Sequence, residues 1–207
     1  MRKLVAPPVI ILGIVVVLVM GAILAPAQSI AEYTVIGVLV MILAAVTSIM
    51  IHESGHVLAG WLVGFRFVLW IAGPLRIQAG QLPRLNWNWR QMGLVISIPP
   101  IAPALRTRQI LFMAGGPAAN LIVGHIALRI QDGIGEPVQS WAYTTGERTA
   151  IELTLILFFY FLGWMSSLFG LINIWPRQLS TVQTDGAWLW ALLHHRASPE
   201  LAEKSIQ

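Results

Sequence analysis

The chain contains no cysteine, and only 11% of its 207 residues are charged. The missing cysteines exclude disulfides, iron–sulfur clusters and thiolate metal ligands, so any metal must be held by His, Asp or Glu. They say little about compartment. The scarcity of charge excludes an ordinary soluble domain, in which roughly a quarter of residues are charged. Acidic residues are the scarcer sign, 9 against 13 Lys and Arg, and the pI is near 10.1. In a soluble protein that balance would suggest nucleic acid. Here 57% of residues are hydrophobic and the mean hydropathy is +0.73, so the basic residues are expected to set topology and meet anionic lipid. A lipid bilayer is the expected partner, and nucleic acid is not.

Four long apolar segments take up much of the chain, at residues 4–25, 33–63, 110–130 and 150–175. Each reaches the roughly 20 helical residues that span a bilayer core. The first follows Met1-Arg2-Lys3, as a signal peptide would. Its apolar run is long for such a leader, and Ala25-Pro26-Ala27 puts proline where cleavage is poor, so it reads as a retained helix. Arg66, Arg76, Arg84, Arg90, Arg106 and Arg108 lie between the second and third segments with no acidic residue among them. Asp132, Glu136, Glu147 and Arg148 lie between the third and fourth. With Arg2 and Lys3 inside, four crossings place the Arg-rich stretch and the C-terminal tail in the cytoplasm.

Within the Arg-rich stretch, Leu85-Asn86-Trp87-Asn88-Trp89-Arg90 alternates apolar and polar residues, and Leu75-Arg76-Ile77-Gln78 does so briefly. A period of two predicts short strands, with turns near Gly73-Pro74 and from Gly80 to Pro83. Trp87 and Trp89 would share a face, as an interfacial anchor or as a substrate contact. The expected fold is an all-α polytopic membrane protein of about four transmembrane helices, as one domain over residues 1–207. A short membrane-associated β-hairpin or sheet at residues 66–98 separates the second and third helices, and a short helix at 186–195 ends the pattern.

Inside the second segment stands His52-Glu53-Ser54-Gly55-His56. Two histidines four apart on a helix project from one face about a turn apart, so two imidazoles can share one metal. Glu53 sits beside them, placed to act as base toward a water that the metal activates. A catalytic zinc usually takes three protein ligands and keeps one position open. His52 lies about 25 Å along its helix from the outer end, in the cytoplasmic third. Glu32, Glu152 and Asp132 belong to the outer side and are too far away. His125 sits in the outer half of the third segment, where a packing or hydrogen-bonded role is expected. His194 and His195 belong to the surface of the short C-terminal helix. Asp185 remains, on the cytoplasmic side; alone it would read as a helix N-cap before Gly186-Ala187-Trp188-Leu189-Trp190, but two histidines without a third ligand favour it as that ligand.

The third segment opens with Ala114-Gly115-Gly116-Pro117-Ala118-Ala119-Asn120. Glycines and proline there loosen the helix and permit close backbone approach. Asn120 lies near the depth of His52, where its amide would donate to an oxyanion, bind a substrate carbonyl, or hydrogen-bond between helices.

Three features together resemble the site-2 protease family of intramembrane zinc metalloproteases. They are the His52–His56 motif in a membrane helix, Gly116-Pro117-Ala118-Ala119-Asn120, and Asn173-Ile174-Trp175-Pro176 followed by Asp185-Gly186. Their order and placement match from about Tyr33 to Leu193. The resemblance implies a hydrolase that cuts transmembrane or membrane-associated peptides near the cytoplasmic face, in a prokaryotic cell membrane. His52, His56 and Asp185 would ligate a zinc ion and Glu53 would be the general base. Asn120 would correspond to the family's asparagine near the scissile carbonyl, and the β region to the family's sheet that holds substrate extended. One departure is the interval from Pro176 to Asp185, longer and more polar than the family pattern, which reads as a short insertion ahead of the ligand. No PDZ-like or cystathionine-synthase-like domain is expected in these residues. The alternatives are a membrane-anchored zincin of another family, with Glu152 or Glu32 as third ligand, and a silent scaffold or metal-handling protein of the same fold. Glu53 argues against the last, because metal binding alone does not require a base.

Overall fold

A computed structural model describes residues 30–85, 92–101, 103–145, 150–177 and 183–194, with side chains for 34–85, 92–101, 103–134, 154–177 and 183–194. The expected first span at 4–25, the residues Trp87 and Trp89, and His195 lie outside them. In chain order the elements are helix α1 (Ile30–Leu62), strands β1 (Arg66–Ala72), β2 (Leu75–Gln78), β3 (Arg84–Leu85) and β4 (Gly93–Ile98), then helices α2 (Leu105–Thr145), α3 (Ala150–Ile174) and α4 (Asp185–Leu193). Three stretches are long and apolar enough to cross a membrane: Thr34–Leu62, Leu105–Ile134 and Thr154–Ile174. Asp132, expected in an outer loop, is instead an exposed residue within α2. Polar residues end an apolar run but not a helix, whose backbone bonds continue into water.

The chain divides into two compact units, Met1–Ala45 with Ala127–Leu162, and Val46–Ile126 with Gly163–Gln207. In the first, Val40, Met41 and Ala44 of α1, Ala127 of α2, and Phe161 and Leu162 of α3 are buried. The second contains the sheet, α4 and every residue of the site described below.

The helices of the second unit bury polar side chains and expose large apolar ones. Ser48, His52, His56, Asn120 and Ser166 are buried, while Leu58, Trp61, Leu62, Trp164, Leu168 and Leu171 are exposed. Water would favour the opposite arrangement; lipid favours this one, with polar side chains facing one another inside a helix bundle. The Ser48 and Ser166 hydroxyls meet at 2.9 Å. Gly55 and Gly115 let α1 and α2 approach closely, for a Cβ on Gly55 would collide with the Gly115 carbonyl.

α1 ends in a Schellman motif. Phe65 N–H donates to the Gly60 carbonyl at 2.7 Å and Gly64 N–H to the Trp61 carbonyl at 3.1 Å, with Gly64 at φ 83°. The Val63 carbonyl accepts from the Arg108 guanidinium. Phe65 then stacks on Phe112 of α2, with ring centroids 5.2 Å apart. Arg106, also in the first turn of α2, donates to the carbonyls of Leu192 and Leu193 at 2.6 and 2.8 Å. A cation there meets the negative end of α4. The two arginines thus secure the C-terminal ends of two other helices.

The sheet is antiparallel in the order β3-β2-β1-β4. Its β2 strand and both turns fall where the alternation and the glycine–proline pairs predict. β1 and β4 carry no such signal in the sequence. Residues Phe67 to Ala72 are continuously apolar, with Trp70, Ile71 and Ala72 buried, so no alternation marks them. Among the described residues β4 carries β1 on one side and no strand on the other.

Candidate metal centre and adjoining cavity

His52, Glu53 and His56 are supplied by adjacent turns of α1, and Asp185 by the first turn of α4. Three ligand atoms converge. His52 Nε2 lies 2.9 Å and His56 Nε2 3.3 Å from Asp185 Oδ2, and the two nitrogens are 3.2 Å apart. Donors bonded at 2.0–2.1 Å to a tetrahedral ion sit about 3.3 Å from one another. The triangle therefore has the edge lengths of one face of such a site. Among the described residues this is the group of His, Asp and Glu side chains able to hold a metal.

The surroundings fit a metal as well as the ligands do. Gly116 of α2 faces the two imidazoles: a Cβ there would collide with His56 Nε2 and stand 2.8 Å from His52 Nε2. The glycine leaves open the space into which the ligand atoms point. His56 Nδ1–H donates to the Phe112 carbonyl at 2.8 Å, which leaves its Nε2 lone pair for the shared centre. His52 Nδ1 faces Asn120 Nδ2 at 3.2 Å. Burial pushes the Asp185 carboxyl up, and its interactions with the His52 and His56 imidazoles outweigh that effect and hold its pKa down to about 2.

Asp185 is not the N-cap. That role belongs to Thr184, whose hydroxyl accepts from Ala187 N–H at 3.3 Å. The same hydroxyl donates to the Trp175 carbonyl at 2.8 Å and accepts from Arg177 N–H at 3.1 Å. With the cap supplied by its neighbour, the Asp185 carboxylate is free to turn toward the histidines. Gly186 follows because the chain passes against the end of α3, where a Cβ would overlap the Ile174 carbonyl.

Beside the triad is a cavity of about 220 Å³ lined by His52, Glu53, Asn120 and Asn173, with Ile49, Phe169 and Gly93 as its other walls. Gly93 begins β4 against Glu53, and a Cβ on it would stand 2.5 Å from Glu53 Oε1. The cavity thus meets a carboxylate, two amides and the end of a strand whose outer edge pairs with no other strand among the described residues.

Of the other candidates, His125 is exposed rather than packed. His194 is exposed, caps α4 and stacks on Trp190 at 3.8 Å. Asp132 is exposed in α2, outside the triad, and the side chains of Glu32 and Glu152 lie outside the described residues. Three contributors carry little signal in the sequence. Gly93 acts by having no side chain, Phe112 acts through its carbonyl, and Thr184 is one of several polar residues in its stretch. Gly116 stands in a motif and permits close approach, but its place against the imidazoles comes only from the packing. Asn173, which lines the cavity while donating to the Phe169 carbonyl at 3.0 Å, was visible as part of a motif but without a role. Comparison with family models, with curated proteins and with solved structures returned no match.

Proposed function

We propose that the chain is an intramembrane zinc metalloprotease of the site-2 protease type, hydrolysing peptide bonds of transmembrane or membrane-associated substrates near the cytoplasmic face. One observation carries this reading: Glu53 and His52 line the same cavity, and the His52–His56–Asp185 donor set adjoins it. Two nitrogens and a carboxylate oxygen suit zinc, and Glu53 is a carboxylate that metal storage or transport would not need.

Zinc held by these residues supplies Lewis-acid activation of water and of the scissile carbonyl. Glu53 takes a proton from the attacking water and returns it to the departing amine, so the carboxylate ends as it began. Asn120 offers an amide donor for the negative charge that develops on the carbonyl oxygen. A helical substrate hides its peptide bonds, so it must be drawn out before any of this can happen. The open edge of β4 can pair with an extended segment, and β4 begins at the Gly93 wall of the cavity. The cytoplasmic orientation is supported by Arg66, Arg76, Arg84, Arg106 and Arg108, and a prokaryotic cell membrane is the proposed setting.

The test is metal analysis and peptide cleavage on the full chain in detergent or nanodiscs, comparing the parent with Glu53→Gln. About one zinc per chain is expected in both, with cleavage of a transmembrane peptide reduced about 10²- to 10⁴-fold in the variant. Cleavage that persists in Glu53→Gln would sink the mechanism. Zinc binding without cleavage by the parent would leave the metal-handling reading in its place.

A further inference from the structure

The two histidines of the triad are held in different ways. His56 Nδ1 faces a backbone carbonyl, which only accepts, so the ring must carry its proton there and keep Nε2 free. His52 Nδ1 faces the side-chain amide of Asn120, which can donate or accept according to which way it is turned. Asn120 is fully buried, with Nδ2 3.2 Å from His52 Nδ1, while its Oδ1 is buried with no hydrogen-bond partner among the described residues.

An amide N–H turned toward Nδ1 would suit only a ring whose proton is on Nε2, which faces Asp185 Oδ2 at 2.9 Å. A metal ligand needs the other tautomer. Nε2 must offer its lone pair, so the single proton of the neutral ring sits on Nδ1. With an amide N–H toward Nδ1, two N–H groups would then face each other in a buried site while an acceptor, Oδ1, went unused beside them.

We propose that Asn120 is the positioning residue for His52: in the metal-bound protein its Oδ1 accepts from His52 Nδ1–H, which leaves Nε2 to ligate, and its Nδ2 takes the other position of the buried amide. The inference rests on the metalloprotease reading and deepens it. Asn120 also lines the cavity, so the same orientation gives it an N–H to offer a substrate oxygen while the metal is held. A serine hydroxyl would satisfy the ring but leave no second polar atom, and an aspartate would accept from the ring but donate nothing.

The test compares zinc affinity and peptide cleavage in the parent, Asn120→Asp and Asn120→Leu. The three side chains share the same branching and number of heavy atoms; Asp keeps the acceptor without the donor, and Leu, which is bulkier, has neither. Affinity is read on the full chain in detergent by competition with a chromophoric chelator. Asn120→Leu should bind zinc about 10- to 100-fold more weakly, as is usual when a hydrogen-bond partner of a ligating histidine is lost. Asn120→Asp should match or exceed the parent in affinity, and both variants should lose cleavage. Equal affinity in Asn120→Leu and the parent overturns the inference while leaving the protease reading intact. So does an Asn120→Asp variant that binds more than 10-fold more weakly, a result that remains readable where Asn120→Leu fails to fold. A parent that holds no zinc takes down both.

Discussion

Thr184 and Arg177 are joined backbone to backbone, Thr184 N–H donating to the Arg177 carbonyl at 3.2 Å, and again through the threonine hydroxyl. The polar interval between them is therefore closed at its base. Extra residues after Pro176 do not carry Asp185 away, because the chain re-enters beside the point where it left. Replacing Thr184 with valine removes the cap and both hydroxyl links to Trp175 and Arg177. Thermal unfolding should show a loss of about 1 kcal/mol. Zinc affinity should fall as well, with Thr184→Ser restoring most of it. An unchanged affinity in Thr184→Val would mean that Asp185 is placed by other contacts.

Asp185 should also register in the acid stability of the metal-free protein. Its carboxyl titrates near 2 when folded and near 3.8 when unfolded. A depressed folded value means that the contribution is complete above the unfolded value and is lost as the pH falls from about 4 to about 2. The difference corresponds to about 2 kcal/mol. Unfolding followed between pH 5 and pH 2 should show that loss in the parent and a flatter profile in Asp185→Asn. Parallel profiles would refute the assignment of this pair of interactions. With zinc present, Asp185→Ala should weaken binding sharply, since only two protein ligands remain.

Gly116→Ala sets a methyl group against both Nε2 atoms. Zinc content should drop below one-tenth of the parent's, by analogy with any donor set whose centre is filled, while helix content holds because alanine favours α2. Normal zinc content in this variant would show that the ion, if bound, does not occupy the space between these rings.

Gly93→Ala should divide the phenotype the other way. Its methyl meets Glu53 Oε1 and not the ligand atoms, so zinc should be retained while cleavage falls about 10-fold or more. A loss of zinc in Gly93→Ala would indicate that β4 supports the triad rather than the base.

Much of this was legible without coordinates, and the parts that were not share a cause. The scarcity of charge and the long apolar runs announce membrane helices, and a spacing of four puts His52 and His56 on one face of α1 whatever α1 packs against. Alternation marked β2, and the turns at Gly73-Pro74 and after Gly80 followed from their residues. β1 was hidden because its later residues are buried without alternation, and a short apolar run has no period to read.

By itself, then, the sequence determined what local geometry can determine: which stretches are helical and apolar, and which two imidazoles share a helix face. Only the tertiary structure decided that Asp185 closes the triangle, since a carboxylate 133 positions from His52 is brought within 2.9 Å by α4 packing. It also moved the N-cap to Thr184, set Phe112's carbonyl behind one histidine and Asn120's amide behind the other, and cleared the centre by placing Gly116 there. Such contributions come from backbone groups, from missing atoms, and from the direction of an amide. None leaves a periodic trace, because each depends on what another element brings opposite it.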